Sequence, residues 1–218
     1  ALSILIAMLL ILTAIAEIIM PLLVFGTASG FSSDSRFDLS VSFGRVMFPY
    51  ICLISLSAFL GGILNSLNRY SVTAAAPLLL NLFFIISIII AYIFKLDFGW
   101  AITLCVPLAG LSQLGLIMLF LKKERFPIRI KRPKLTPEIL KLIKIAVPAA
   151  LAGGVIQINL VVGRQVSSYF EGAVAWLNYA DRIYQLPLGV VGITIGVVLL
   201  PNLSKAVSKK QHLSLIHI

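Results

Sequence analysis

Six apolar stretches, each long enough to cross a bilayer, leave this chain few ways to fold. They run over residues 1–26, 41–67, 75–95, 99–121, 143–169 and 172–201. A helix needs about 20 mostly apolar residues to span the hydrocarbon core. Each stretch is continuous and lacks the period-two alternation of a barrel strand, so a helix, which satisfies its own backbone, is the form it can take in lipid. Composition agrees: 60% of the 218 residues are hydrophobic and 12% are charged. The mean hydropathy is +1.05, well outside the range of a water-soluble domain. The expected fold class is all-α, a polytopic membrane helix bundle.

A net charge of +10 would suggest nucleic acid as a partner for a soluble protein. Here its distribution speaks for topology instead, and no nucleic acid is expected. Thirteen of the 18 basic residues fall in alternate connections: Arg69, then the run from Lys122 to Lys144, then Lys205, Lys209 and Lys210. Those connections are expected to be cytoplasmic. The opposite connections hold Arg36 and Lys95 beside Asp34, Asp38, Asp97 and Glu171. Ala1 already lies in an apolar run with no basic leader, which reads as an internal fragment of a longer protein. Cys52 and Cys105 lie in different stretches with no CxxC or His-rich spacing, and the two histidines, His212 and His217, sit in the tail. No metal and no cofactor are expected. No GxxxxGK[ST], HExxH or GxSxG pattern occurs, so direct ATP use and catalysis are not expected, and no residue reads as catalytic.

The ionisable groups inside the apolar stretches remain: Glu17, Arg45, Arg164, Asp181 and Arg182. Such residues are costly in a membrane and mark function by default. Glu17, four residues before Pro21, is either a coupling carboxylate or a helix-packing residue with a partner. Arg45, near the outer end of its stretch, either serves a site or snorkels to the headgroups. At 3.6 residues per turn, Asn178, Arg182, Gln185, Gly189, Gly192 and Gly196 share one helix face. Gly153, Gln157, Arg164 and Ser168 do the same on the preceding helix. The two stripes are expected to face each other or a common water-filled space. Two arginines against the single nearby acid Asp181 leave positive charge over, which suits an anion-binding cavity better than a sealed structural network. Pro187 adds a freed carbonyl near Arg182 and a place to kink. Asp181 lies at the edge of its stripe, where it tunes or orients Arg182 rather than binding an anion.

Several ordered motifs carry a family resemblance: Arg45-Val-Met-Phe-Pro-Tyr-Ile51, Gly62-Ile-Leu-Asn-Ser-Leu-Asn-Arg-Tyr70, Ala76-Pro-Leu-Leu-Leu-Asn81, Gln157-Ile-Asn159, the run from Ala173 through Asp181-Arg182 to Gly189, and Leu200-Pro-Asn-Leu-Ser204. With them, almost the whole chain resembles the bacterial lipid II flippases, the MurJ (MviN) family of the multidrug and polysaccharide-lipid exporter superfamily.

The resemblance implies a fourteen-helix, two-lobe transporter of the bacterial inner membrane, of which this chain is similar to helices three to eight. Residues 1–121 would then be the last four helices of the N-terminal lobe, and 122–142 a basic cytoplasmic linker with an amphipathic helix start. Residues 143–204 would be the first two helices of the C-terminal lobe, and 205–218 a cytoplasmic tail whose end departs from the family pattern. The implied partners are the missing N- and C-terminal helices, membrane lipids, and the undecaprenyl-diphosphate-linked oligosaccharide lipid II, moved to the outer leaflet by alternating access. By the same resemblance Arg182 matches a cavity arginine of the eighth helix and Arg45 a functional arginine of the fourth. Arg164 and Gln185 stand where relatives often carry other charges. Substrate contacts are expected from Arg182, Arg164 and Arg45, with Gln157, Asn159, Gln185 and Asn178 hydrogen-bonding nearby; Asp181 and Glu17 tune charge or couple ions. A flippase for O-antigen or exopolysaccharide lipids, a drug exporter, a membrane glycosyltransferase or phosphatase, and a structural scaffold are the alternatives.

Overall fold

The computed structural model describes residues 2–126 and 137–189, and the elements follow the apolar stretches. They are α1 (Leu2–Ile18), α2 (Met20–Ala28), a short 3-10 turn at Ser29–Phe31, α3 (Ser35–Met47), α4 (Tyr50–Ser66), α5 (Tyr70–Phe94), α6 (Phe98–Lys123), α7 (Pro137–Ser167) and α8 (Ala173–Pro187). No strand occurs among the described residues. Four helical segments among them are long and apolar enough to cross a membrane: Ser35–Ser66, Tyr70–Phe94, Phe98–Lys123 and Lys144–Ser167. The bent pair α1–α2 makes a fifth if it counts as one span. The chain divides into two compact units, Ala1–Gln165 and Val166–Ile218.

The first stretch, expected as one span, is broken by a 73° bend. Pro21 is the physical cause, because it lacks the N–H that would reach the Glu17 carbonyl one turn earlier. The second begins earlier than expected, at Ser35, where Asp34 caps α3 by accepting from the Arg36 backbone N–H at 2.8 Å. The Arg36 side chain also donates from Nε to Asp34 at 2.7 Å. These hydrogen bonds hold the Asp34 carboxyl below its ordinary range. Pro49 likewise removes a backbone donor between α3 and α4, but Ser35–Ser66 runs on as one membrane-length segment. Asp97 caps α6 through the Trp100 N–H at 2.8 Å. Helices α4, α5 and α6 end on non-glycine residues in the left-handed region, Asn68, Lys95 and Arg125.

Within the first unit α6 packs against α4 and α5. Leu60, Leu64, Val72, Ala76, Ile117 and Leu121 form a buried cluster toward the C-terminal end of α4 and α6. A second cluster, Met20, Val24 and Val41, gathers near the α2–α3 connection, with Phe37 and Phe48 against it. Gly110 sets the spacing of α6 on α4: a Cβ there would lie 2.7 Å from the Tyr50 ring and 3.1 Å from Leu53 Cβ. Small residues permit that approach. Polar groups join the same helices. The Ser87 hydroxyl donates to the Ala101 carbonyl at 2.7 Å, and the Tyr50 hydroxyl to the almost fully buried Gln113 at 3.3 Å.

Large apolar side chains cover the outside. Ile85, Ile86, Ile89, Ile90 and Ile93 of α5 are all exposed. An apolar surface of this extent belongs in lipid rather than in water. The molecule is therefore an all-α polytopic membrane helix bundle.

One contact reaches across 136 positions of sequence. The Gln165 side chain, at the end of α7, accepts from the Ser29 backbone N–H at 3.0 Å and donates to the Ser29 hydroxyl. The two neighbouring connections are those expected from the charge distribution to share the outward side, and the fold brings Ser29 and Gln165 together.

Candidate functional site

Each ionisable residue singled out within the apolar stretches falls on a helix, apart from the bend that modifies the surroundings of Glu17. Glu17 lies in the last turn of α1, next to that bend. Its Oε1 is buried with no hydrogen-bond partner among the described residues. A buried carboxylate oxygen left without a donor costs about 1–3 kcal/mol or more. Replacing the carboxyl with an apolar side chain of similar length, Glu17→Met, should therefore raise thermal stability by about 1 kcal/mol. Detergent-solubilised full-length protein gives the measurement, and a lower melting temperature would show that the carboxylate has a donor or cation of its own.

Arg45 occupies the last turn of α3 and is exposed. Its neighbour Gly44 meets Met20 of α2: a Cβ at Gly44 would lie 2.7 Å from the Met20 sulfur. This close approach holds the segment carrying Arg45 beside the bend that carries Glu17. No ion pair joins Glu17 and Arg45.

Helix α7 begins at Pro137, the position where proline suits a first turn. Gln157 and Arg164 are exposed and seven residues apart, hence on one face. The stripe stops there. The helix ends at Ser167, and Ser168, expected to continue the stripe, lies in the following turn at 1% exposure. Asn159 is also exposed but stands about 200° around the helix from Gln157, so one ligand reaches both only by passing around α7.

The second unit carries α8. Gly172 starts it at φ +74°, with the Trp176 ring 3.2 Å from where a Cβ would stand. Glycine is needed at that position for conformation and for space. Asn178, Arg182 and Gln185 are exposed at four- and three-residue spacing on one face of α8, while Gly189, expected to continue it, lies beyond the end of the helix at Pro187. Gly192 and Gly196, along with Leu200-Pro-Asn-Leu-Ser204 and the tail, lie outside the described residues. The Asn178 amide donates to the Val174 carbonyl at 2.7 Å, one turn back. Asp181 forms no ion pair with Arg182, as consecutive positions about 100° apart on a helix would lead one to expect. Arg45, Arg164 and Arg182 have no acidic partner among the described residues. Their donors are uncommitted, and guanidinium forks of this kind suit a phosphate oxyanion.

Sequence reasoning passed over Gln165, next to Arg164, because no periodicity or motif signals a contact with Ser29. It also passed over the pair Arg69–Glu124, 2.7 Å apart, which ties the α4–α5 turn to the end of α6. No group of three or more metal-ligating side chains occurs among the described residues.

The fold and these side chains define an integral membrane protein whose apolar helices carry cations without acidic partners among the described residues. Residues 1–217 match the family described as Lipid II flippase MurJ. A probable lipid II flippase MurJ of Rhizobium tropici is 43% identical over 216 residues, covering 97% of this chain and 40% of the relative. That of Rhizobium meliloti is 43% identical over 211 residues, covering 94% and 39%. The lipid II flippase MurJ of Burkholderia cenocepacia is 35% identical over 195 residues, covering 84% and 37%. The chain belongs to the MurJ lipid II flippase family, and it spans about two fifths of the length of these relatives.

Proposed function

We propose that this chain is the central part of a transporter that moves lipid II, the lipid-linked peptidoglycan precursor, from the cytoplasmic to the outer leaflet of the bacterial inner membrane. The observation that carries the reading is the set of unpaired arginines on apolar helices, Arg182 and Arg164 above all. A membrane protein keeps such residues at a cost unless a ligand or water-filled space compensates them. A pyrophosphate supplies the missing anion, and bidentate arginine contacts fit its oxygens. The role is transport rather than catalysis.

In this reading Arg182 and Arg164 hold the pyrophosphate, and Arg45 adds charge from the first lobe. Gln157, Gln185 and Asn178 hydrogen-bond nearby polar groups, while Asn159 faces the other side of α7 and serves packing or a second ligand region. Asp181 sets the local field at Arg182, and Glu17 is the coupling carboxylate. Residues 1–121 belong to one lobe and 143–204 to the next, joined by the basic segment 122–142, with helices beyond this chain completing both lobes. In this proposal water reaches the stripe of α7 and the stripe of α8.

Cysteine labelling tests that arrangement. Single cysteines at Gln157, Arg164, Asn178 and Gln185 in full-length protein should react with membrane-impermeant reagents, from the two sides in turn as the protein cycles. Cysteines at Val155 and Ile183 should stay unreactive in lipid. Equal silence at all six positions would mean a sealed network and a structural role.

A further inference from the structure

From the end of α6 we infer a second binding site, for an anionic phospholipid of the cytoplasmic leaflet. An open groove of about 780 Å3 is lined by Gly115, Met118, Leu119, Lys122, Arg125 and Phe126. The first four are spaced by three, one and three residues, a single helix face. Met118, Leu119 and Phe126 are exposed, and nothing lies within 4 Å of where a Gly115 side chain would begin. The groove thus has an apolar length, exposed among the described residues, and a cationic end.

The charges at that end are unevenly committed. Glu124 is taken by Arg69 at 2.7 Å, and Lys123 lies over the Phe120 ring at 5.8 Å. Lys122 and Arg125 are exposed and have no acidic partner among the described residues. The turn that presents them is fixed. Arg125 donates its N–H to the Lys122 carbonyl at 3.0 Å, and Phe126 to the Leu121 carbonyl at 3.0 Å, the hydrogen bonds of a Schellman cap. Those bonds also occupy helix-end carbonyls that would otherwise repel an anion. Arg125 adopts φ +54°, a conformation that favours glycine.

Charge complementarity selects the occupant. One acyl chain lies along Gly115, Met118 and Leu119, and the phosphate sits between Lys122 and Arg125 at the level where the span leaves the membrane. Cations at a helix C-terminus also complement the helix dipole, and a cytoplasmic connection is basic for topology alone. Neither reason requires an open apolar face at Gly115 or an arginine where glycine fits better.

The test uses delipidated full-length protein, with binding of phosphatidylglycerol and phosphatidylcholine measured by native mass spectrometry. Wild type should prefer phosphatidylglycerol, and Lys122→Gln and Arg125→Gly should each weaken its binding roughly fivefold with phosphatidylcholine unchanged. Gly115→Leu should lower binding of the lipid by filling the groove, without a clash. Arg125→Gly should raise the melting temperature of lipid-free protein, since glycine relaxes the cap. Unchanged phosphatidylglycerol binding in all three variants, or an equal loss of both lipids, would overturn the site. So would a lower lipid-free melting temperature for Arg125→Gly, which would give the arginine a purely structural role.

Discussion

Arg182→Ala, placed in a full-length protein containing this sequence, should abolish growth of a bacterium depleted of its own lipid II flippase, at normal protein levels in the membrane. Arg182 is exposed on α8 and has no acidic partner among the described residues, so its removal breaks no internal ion pair. Folding should therefore survive the substitution. In the proposed site the substitution removes a pair of charge-assisted hydrogen bonds to the substrate, each worth about 1.5–3 kcal/mol. One such bond weakens binding roughly ten- to hundredfold, and loss of the positive field adds to it. Arg182→Lys should be intermediate, because the charge stays and the planar fork goes. Growth supported as well by alanine as by arginine would remove Arg182 from the site.

The second large effect concerns Ser29 and Gln165. On the proposed orientation their contact closes the outward side, between the α2–α3 connection and the end of α7. Alternating access requires that it open. Cysteines at both positions, in a Cys52→Ser, Cys105→Ala background, should be bridged by a short thiol-reactive linker, the long glutamine making a direct disulfide a poor geometric match. Bridged protein should still bind substrate from the cytoplasmic side and should lose transport. A cleavable linker should restore it. Full transport with complete bridging would mean that this contact stays shut throughout the cycle.

Much of this was open to reading from residues alone, for identifiable reasons. Bilayer thickness and the self-satisfying helix fix the spans, so α5 and α6 cover the apolar stretches at 75–95 and 99–121 to within a few residues. The period of 3.6 places Asn178, Arg182 and Gln185 on one face, and α8 has that face. The misses come from tertiary and local backbone effects. Pro21 was visible, but a proline inside an apolar run kinks a helix by an amount that packing decides, and here it gives 73°. Helix ends are signalled by glycine; α6 ends on a left-handed arginine, so no signal marked the turn that presents Lys122 and Arg125. The helical period that puts Ser168 on a stripe runs past the point where α7 stops, at Ser167. The Gln165–Ser29 contact joins residues far apart in sequence, and no short-range pattern encodes it.

The most direct measurement of the central claim is transport itself. Full-length protein in liposomes should move fluorescent or radiolabelled lipid II between leaflets, Arg182→Ala protein should not, and an undecaprenyl-diphosphate carrying an unrelated glycan should compete poorly. Wild-type protein that binds lipid II and leaves its leaflet distribution unchanged, or that moves both lipids equally well, would contradict the account.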